Sequence, residues 1–284
     1  MIIGIPGYSG GNGSGPGSGG GSAPTYTWAN KPAVGTVGSR IYISDVGEYG
    51  AEFVSNGTVW AHTGEIEIIQ KAKGWLVPSL ATANAATYSQ SGTTITVTSI
   101  GHNIPATAYN SKDVYLNVGT AATGATIPPG WFSNFQRTGA DTFTCVSTVS
   151  QTGTGAVNTN LAEVTIGDLT SSIPGGLLGL NGKLMFSLLS SNNNSAGAKT
   201  ARFNFNGTPL DYINTTATIS DLATDPVPIM NRNNQASQVL GYNGISTVLA
   251  VDTSVDMTCG FSLTCAAASD YIAIHAASVY IIIS

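Results

Sequence analysis

The chain closes on Tyr271-Ile272-Ala273-Ile274-His275-Ala276-Ala277-Ser278-Val279-Tyr280-Ile281-Ile282-Ile283. This run is too short, and too broken by His275 and Ser278, to cross a membrane, which takes about 20 apolar residues. Read as a strand, it puts Val279, Ile281 and Ile283 on one face and Tyr280 and Ile282 on the other. A strand apolar on both faces is buried on both faces. Two arrangements satisfy that demand. The strand is central within its own chain, or its second face meets another subunit. The second arrangement makes Tyr280, Ile281, Ile282 and Ile283 candidate subunit-interface residues and predicts an oligomer.

Upstream, residues 160–284 read as many short strands with turns between, at 183–189, 199–205, 248–251 and 258–265. Strands of this length without helical periodicity predict a β-sandwich or jelly roll. Residues 84–157 form an earlier β module, with strands at 93–100, 113–118 and 141–146 and a Pro128-Pro129-Gly130-Trp131-Phe132 turn. Thr152-Gly153-Thr154-Gly155 marks its end. Residues 24–80 form a smaller module. Within it, Glu52-Phe53-Val54-Ser55-Asn56-Gly57-Thr58-Val59-Trp60-Ala61 predicts a hairpin, because Asn-Gly suits both positions of a two-residue type I′ turn. Glu65-Ile66-Glu67-Ile68-Ile69 reads as a further strand. The fold class expected is all-β: tandem small modules, then a C-terminal sandwich.

Residues 1–23 stand apart. Ten of the first 22 residues are Gly, which reads as a flexible linker without collagen's three-residue period. Its apolar tip, Ile2, Ile3, Ile5 and Tyr8, is a candidate hook for attachment to a partner; a frayed terminus is the plainer reading. Matches to a nucleophile elbow at 7–11 and a dinucleotide fingerprint at 15–20 lack the flanking strand and helix. No basic region precedes an apolar core, so no secretory signal is read here.

Charged residues are 9 % of the 284, against about 25 % in an ordinary soluble domain. Ser, Thr and Asn supply 84 residues instead. Ten Lys and Arg against fifteen Asp and Glu provide no basic footprint for nucleic acid. Scarce Glu, Lys and Arg also exclude a coiled coil or helical bundle. Three cysteines, Cys145, Cys259 and Cys265, are an odd number in a long chain and read as buried thiols rather than a disulfide framework. A Cys259–Cys265 bridge is the alternative, and no His or Cys pairing accompanies them for zinc.

Catalytic signals are sparse. Asp221 and Asp225 lie four apart, as do Asp252 and Asp256. The first pair has the residue type of a glycosidase, yet it brackets ordinary loop chemistry before Pro226. The second lacks EF-hand spacing. His62, His102 and His275 are spread over three modules and read as structural. No cofactor or metal site is expected. Sugar binding is the better prospect, through an aromatic at a turn with amides and hydroxyls beside it. The candidates are Trp131, the polar loop Asn192, Asn193 and Asn194, and Asp211 with Tyr212; turn chemistry and core packing account for the same residues.

Three stretches resemble modules of tailed-bacteriophage virion proteins. Gly38-Ser39-Arg40-Ile41-Tyr42-Ile43-Ser44-Asp45-Val46-Gly47 with the 52–60 hairpin is similar to a small module of tail and fibre proteins. Thr94-Ile95-Thr96-Val97-Thr98-Ser99-Ile100-Gly101-His102, with Ile127-Pro128-Pro129-Gly130-Trp131-Phe132 and Asp141-Thr142-Phe143-Thr144, resembles a second virion module. Residues 180–184, 231–238 and 251–256 resemble trimeric jelly-roll domains of fibres and spikes. The resemblance implies a homotrimer in the virion, attached to other virion proteins by its N-terminal segment, made in the host cytoplasm and without enzymatic duty. A short tail fibre or spike meeting host surface polysaccharide is the expected role. A head decoration or cement protein, a capsule-degrading tailspike and a carbohydrate-binding module are the alternatives.

Overall fold

The computed structural model describes residues 22–62, 64–80, 86–105, 109–217, 219–223, 225–242 and 245–283. The tip residues Ile2, Ile3, Ile5 and Tyr8 lie outside them. All regular structure among the described residues is strand. In chain order, β1 (Thr25–Tyr26), β2 (Arg40–Ile43), β3 (Ala51–Ser55) and β4 (Trp60–Ala61) make one sheet. Then come β5 (Glu65–Lys71), β6 (Trp75–Pro78), β7 (Thr87–Thr98), β8 (Asp113–Gly124), β9 (Gly130–Arg137) and β10 (Thr142–Asn158). The last ten are β11 (Val164–Ile173), β12 (Lys183–Asn192), β13 (Lys199–Phe205), β14 (Thr208–Thr215), β15 (Ile219–Ala223), β16 (Val227–Asn231), β17 (Gln238–Tyr242), β18 (Ile245–Leu249), β19 (Met257–Cys265) and β20 (Tyr271–Ile282).

The C-terminal strands form a sandwich. One layer is β11-β19-β13-β14. The other runs β18-β17-β16-β12-β20 and continues through β6 into β8, β9, β10 and β7, with β5 also on β20. Phe186 of β12 stacks on Phe203 of β13 across the layers, at 4.1 Å and 10°. Phe261 and Tyr212 meet this pair edge-on. Such offset and edge contacts add to the burial of large rings. Cys259 and Cys265 lie in this core and Cys145 in the next; all three are free and buried, and burial pushes their thiols up to about 12.

β20 holds the layers together because it changes phase. Ile272 and Ile274 enter the sandwich core, while Tyr271 and Ala273 enter a second core built by β7 to β10. Opposite β12, Ser190 pairs with Ile274 but Leu189 pairs with Ala276. His275 is therefore an extra residue, a β-bulge. Beyond it the inward set is Ala277, Val279 and Ile281. In the first half of the strand both faces are thus covered by the chain itself. Ile281 is fully buried in the chain's own core and Ile283 packs against it, so neither offers an outward face to a subunit. Tyr280 and Ile282 do face outward, half-buried. By register they lie in rows with Met185 and Pro228, and with Lys183, Met230, Val239 and Val248.

Two Asn-Gly pairs behave differently. Ser55 pairs with Trp60, so Asn56 to Val59 form a four-residue loop, not the two-residue turn expected. Asn56 Oδ1 accepts from the Thr58 and Val59 amides at 2.9 and 2.8 Å, an Asx turn. Phe53 and Trp60 are nonetheless buried together, as the hairpin reading requires. Asn206-Gly207, between β13 and β14, is the tight turn: φ is +46° and +79°, and Phe205 pairs with Thr208. Residues Glu65–Lys71 form the strand read from sequence, but it pairs with β20 rather than with β1 to β4. The β1–β4 sheet rests on β5 at Gly47, where a Cβ would lie 2.3 Å from the Glu67 carbonyl and φ is +69°. The Glu48 amide donates to that carbonyl at 2.9 Å, and Trp28 Nε1 donates to Gly175 O at 2.9 Å.

A buried ion pair pins the loops at one end of the sandwich. Lys199 and Asp270 are both wholly buried, 3.9 Å apart. Lys199 Nζ donates to Ser195 Oγ and Gly197 O at 2.8 Å. Asn193 donates to Asp270 Oδ1 at 3.3 Å. Removing one partner leaves an uncompensated buried charge. Asp270→Ala is expected to lower stability by about 3 kcal/mol in urea unfolding, and Lys199→Met with Asp270→Ala by less than the sum of the singles. Additive losses would refute the coupling.

His102 gives the fold a pH dependence. It is buried edge-on to Phe143, and its Nδ1 accepts from the Ile104 amide at 3.1 Å. Burial lowers its pKa, the Arg137 charge lowers it further, and Asp141 works in the opposite sense. The folded state therefore binds fewer protons than the unfolded chain. This contribution is complete above the unfolded value of about 6.5 and is lost as pH falls toward the lower folded value. The unfolding midpoint should drop between about pH 7 and 5, and His102→Gln should flatten that slope. An unchanged slope would refute the assignment.

Candidate functional site

The strand read at 65–69 and the run Trp75-Leu76-Val77-Pro78 share one edge of β20. Both pair with it antiparallel, β5 against residues 277–282 and β6 against residues 271–274. The break between them, Ala72-Lys73-Gly74, falls opposite the His275 bulge. Gly74 turns with φ +87°, and its carbonyl accepts from the Asp113 amide at 3.2 Å. β6 then lies parallel to β8, with Trp75 beside Asp113. The interrupted edge leaves a cleft.

The fourth wall is a bulge of β11. Thr165 pairs with Ser262, but the next pair is Thr170 with Gly260. Four residues, Ile166 to Leu169, therefore oppose Phe261 alone. Ile166 and Leu169 turn into the core, and Gly167 and Asp168 are thrown outward. Thr170 Oγ1 ties the bulge by donating to Ile166 O at 3.1 Å. Bulges of this kind re-aim side chains beside functional sites.

The main cavity, about 550 Å³, is lined by Glu48, Ile68, Ile69, Lys71, Lys73, Trp75, Gly167, Asp168, Thr170 and Ser171. A smaller one of about 180 Å³ adjoins it, lined by Trp75, Asp113, Trp131, Ile166, Gly167 and Asp168. Trp75, Gly167 and Asp168 line both. Trp75 is buried, so it forms a floor. Trp131 is half-buried, donates through Nε1 to Thr165 O at 3.2 Å, and meets Tyr115 edge-on at 5.5 Å.

Charges here are paired. Lys71 Nζ lies 2.6 Å from Glu48 Oε1, and Lys73 Nζ lies 2.6 Å from Asp113 Oδ2. The bond to Glu48 holds the Lys71 ammonium above its ordinary value, and Asp168 adds to the effect. Neighbouring Glu67 is pushed up by burial and by the Glu48 charge, against the pull of Lys71. Asp113 keeps one oxygen, Oδ1, buried without a hydrogen-bond partner among the described residues. Among the described residues no group of three or more His, Cys, Asp or Glu is placed to hold a metal. The cleft joins a polar rim of acceptors and donors to an aromatic and aliphatic floor, an arrangement suited to a small polyhydroxylated ligand.

The sequence candidates scatter. Trp131 lies in the cleft. Asn192 is buried and donates to Asn193 O and Ala217 O. Asn193 holds Asp270 and accepts from the Tyr271 amide. Asn194 is exposed. Asp211 pairs with Arg202, which also meets Glu163. Tyr212 is a core ring against Phe186, its hydroxyl donating to Asp225 O at 3.0 Å, so it presents no face to a sugar. His275 and Ser191 are hydrogen-bonded at 2.6 Å, with Tyr109 on Ser191, but Ser191 and Tyr109 are buried and none of the three lines the cleft. Sequence reading missed Glu48, Lys71, Lys73, Trp75, Asp113 and Asp168. Gly167 inside a strand was the available signal for the bulge.

Lys73→Met leaves the Asp113 carboxylate, 10 % exposed, without its cation. Because Lys73 is itself half exposed, the expected cost is modest, about 1 kcal/mol in urea unfolding, and Lys73→Arg should restore it. Equal loss in both variants would show that the pair is not what matters. Comparison of the chain with protein-family models, with curated proteins and with solved structures finds no match.

Proposed function

We propose that this chain is a non-enzymatic structural protein of a tailed-bacteriophage virion, a short fibre or spike that self-associates as a trimer and presents the cleft to the host surface. The observation that carries the reading is the outer face of the sandwich. There the half-buried Tyr280, Ile282, Met185, Pro228, Met230 and Val239 form a largely apolar face around Lys183, and Val248 is 60 % exposed. Contiguous apolar patches of this kind mark interaction surfaces. The uncharged polar composition and the modules packed on one sandwich support the same reading. The N-terminal segment serves as the attachment to neighbouring virion proteins.

Size-exclusion chromatography with light scattering should give about three times 29.0 kDa, and Tyr280→Glu with Ile282→Lys should shift the species toward monomer. A monomer for the unaltered chain would overturn the trimer. Immunogold labelling of phage particles should mark the tail. Label on the head would reassign the protein as a decoration protein, and unlabelled particles would overturn the virion reading.

A further inference from the structure

We propose that the smaller cavity, between Trp75, Trp131 and Asp113, is a subsite for one uncharged sugar ring of a glycan, and that the larger cavity takes the units beside it. The inference deepens the fibre reading and rests on it for the glycan's source, the host surface. The binding chemistry stands on the cleft alone.

Asp113 Oδ1 is the first observation. It belongs to a side chain nine-tenths buried, it has no hydrogen-bond partner among the described residues, and its residue lines the cavity. A buried acceptor left unpaired is unfavourable until a donor arrives. Its other oxygen is engaged by Lys73, which orients the side chain. Asp168 is the second observation. It sits on the bulge, exposed, with no hydrogen bond or ion pair among the described residues. Two acidic residues, Asp113 of β8 and Asp168 of β11, thus line one space beside the half-buried Trp131 ring.

Charge decides the class. The two cavities carry Glu48, Asp113 and Asp168 against Lys71 and Lys73, and both ammonium groups already hold a carboxylate. An anionic ligand would meet the Asp168 carboxylate with both ammonium groups already engaged. A neutral ring brings hydroxyl donors to Asp113 Oδ1 and Asp168 and apolar C–H faces to the indole. Polar groups fix its orientation and the aromatic supplies contact area. Uronic and sialic acids are excluded from this subsite on the same ground.

The test uses the full chain and follows tryptophan fluorescence and heat on titration. The probes are the methyl glycosides of glucose, galactose, mannose, N-acetylglucosamine and glucuronic acid. At least one neutral glycoside should bind with Kd tighter than about 10 mM, and the glucuronide at least about tenfold more weakly. Asp168→Asn, at an exposed position, should weaken binding about fivefold, and Trp131→Ala about tenfold. No neutral glycoside binding in this range overturns the subsite. So does a glucuronide that binds as well, or affinity unchanged in both variants. If particles are labelled but no glycoside binds, the subsite falls and the fibre reading stays. If glycosides bind but particles carry no label, the reverse holds.

Discussion

A strand with apolar residues on both faces must find two cores, and β20 finds them within one chain by slipping one residue. The bulge at His275 lets Ile272 and Ile274, then Val279 and Ile281, reach the same sandwich core on opposite phases of the strand. Tyr271 and Ala273 meanwhile close the core of the neighbouring module. Everything else is arranged around that slip. β5 and β6 divide the edge of β20 at the same level, and the gap between them carries Lys73 and opens the cleft. A straight strand would have let β5 run on into β6 and left no gap.

The all-β class and most strand positions were legible from alternation alone, because period-two patterning is a direct consequence of the pleat. Burial of Phe53, Trp60, Val279 and Ile281 follows from it. What alternation does not carry is phase. The outward end of β20, Tyr280 and Ile282, was read correctly as a second apolar face, but the first half of the strand needs no partner once the bulge is known. The two Asn-Gly pairs make the same point locally. Asn206-Gly207 sits between strands whose pairing closes on two residues. At Asn56-Gly57 the position of Trp60 is set from outside, since its Nε1 donates to Pro32 O at 2.9 Å. The loop lengthens to suit.

The cleft was less legible for a related reason. Its residues come from the 44–48 loop, the β5–β6 break, the starts of β8 and β9, and the β11 bulge. No two of these segments share a sequence pattern. Trp131 was expected at a turn after Pro-Pro-Gly, but it lies in β9, paired with Tyr115, and reaches the cleft from a strand. Asp168 was not expected, because its role depends on three extra residues in one strand relative to the partner. Asn192, Asn193 and Tyr212 misled because amides and tyrosines that look suited to sugars are equally suited to closing loops and filling a core, and the fold uses them there.

Low charge sharpens the site instead of obscuring it. At least five of the ten cations, Arg40, Lys71, Lys73, Lys199 and Arg202, stand in ion pairs. One pair is buried and ties loops, while Arg40–Glu52 and Arg202–Asp211 lie across neighbouring strands. Lys71–Glu48 and Lys73–Asp113 line the cleft together, and Asp168 stands beside them. In a chain where 9 % of residues are charged, five charges around one hollow are a concentration that surface solvation does not require. Paired ions also present fixed donors and acceptors rather than a strong net field. That combination suits a ligand recognised by its hydroxyl geometry, and it lets the remaining surface stay as neutral as a β protein built on Ser, Thr and Asn permits.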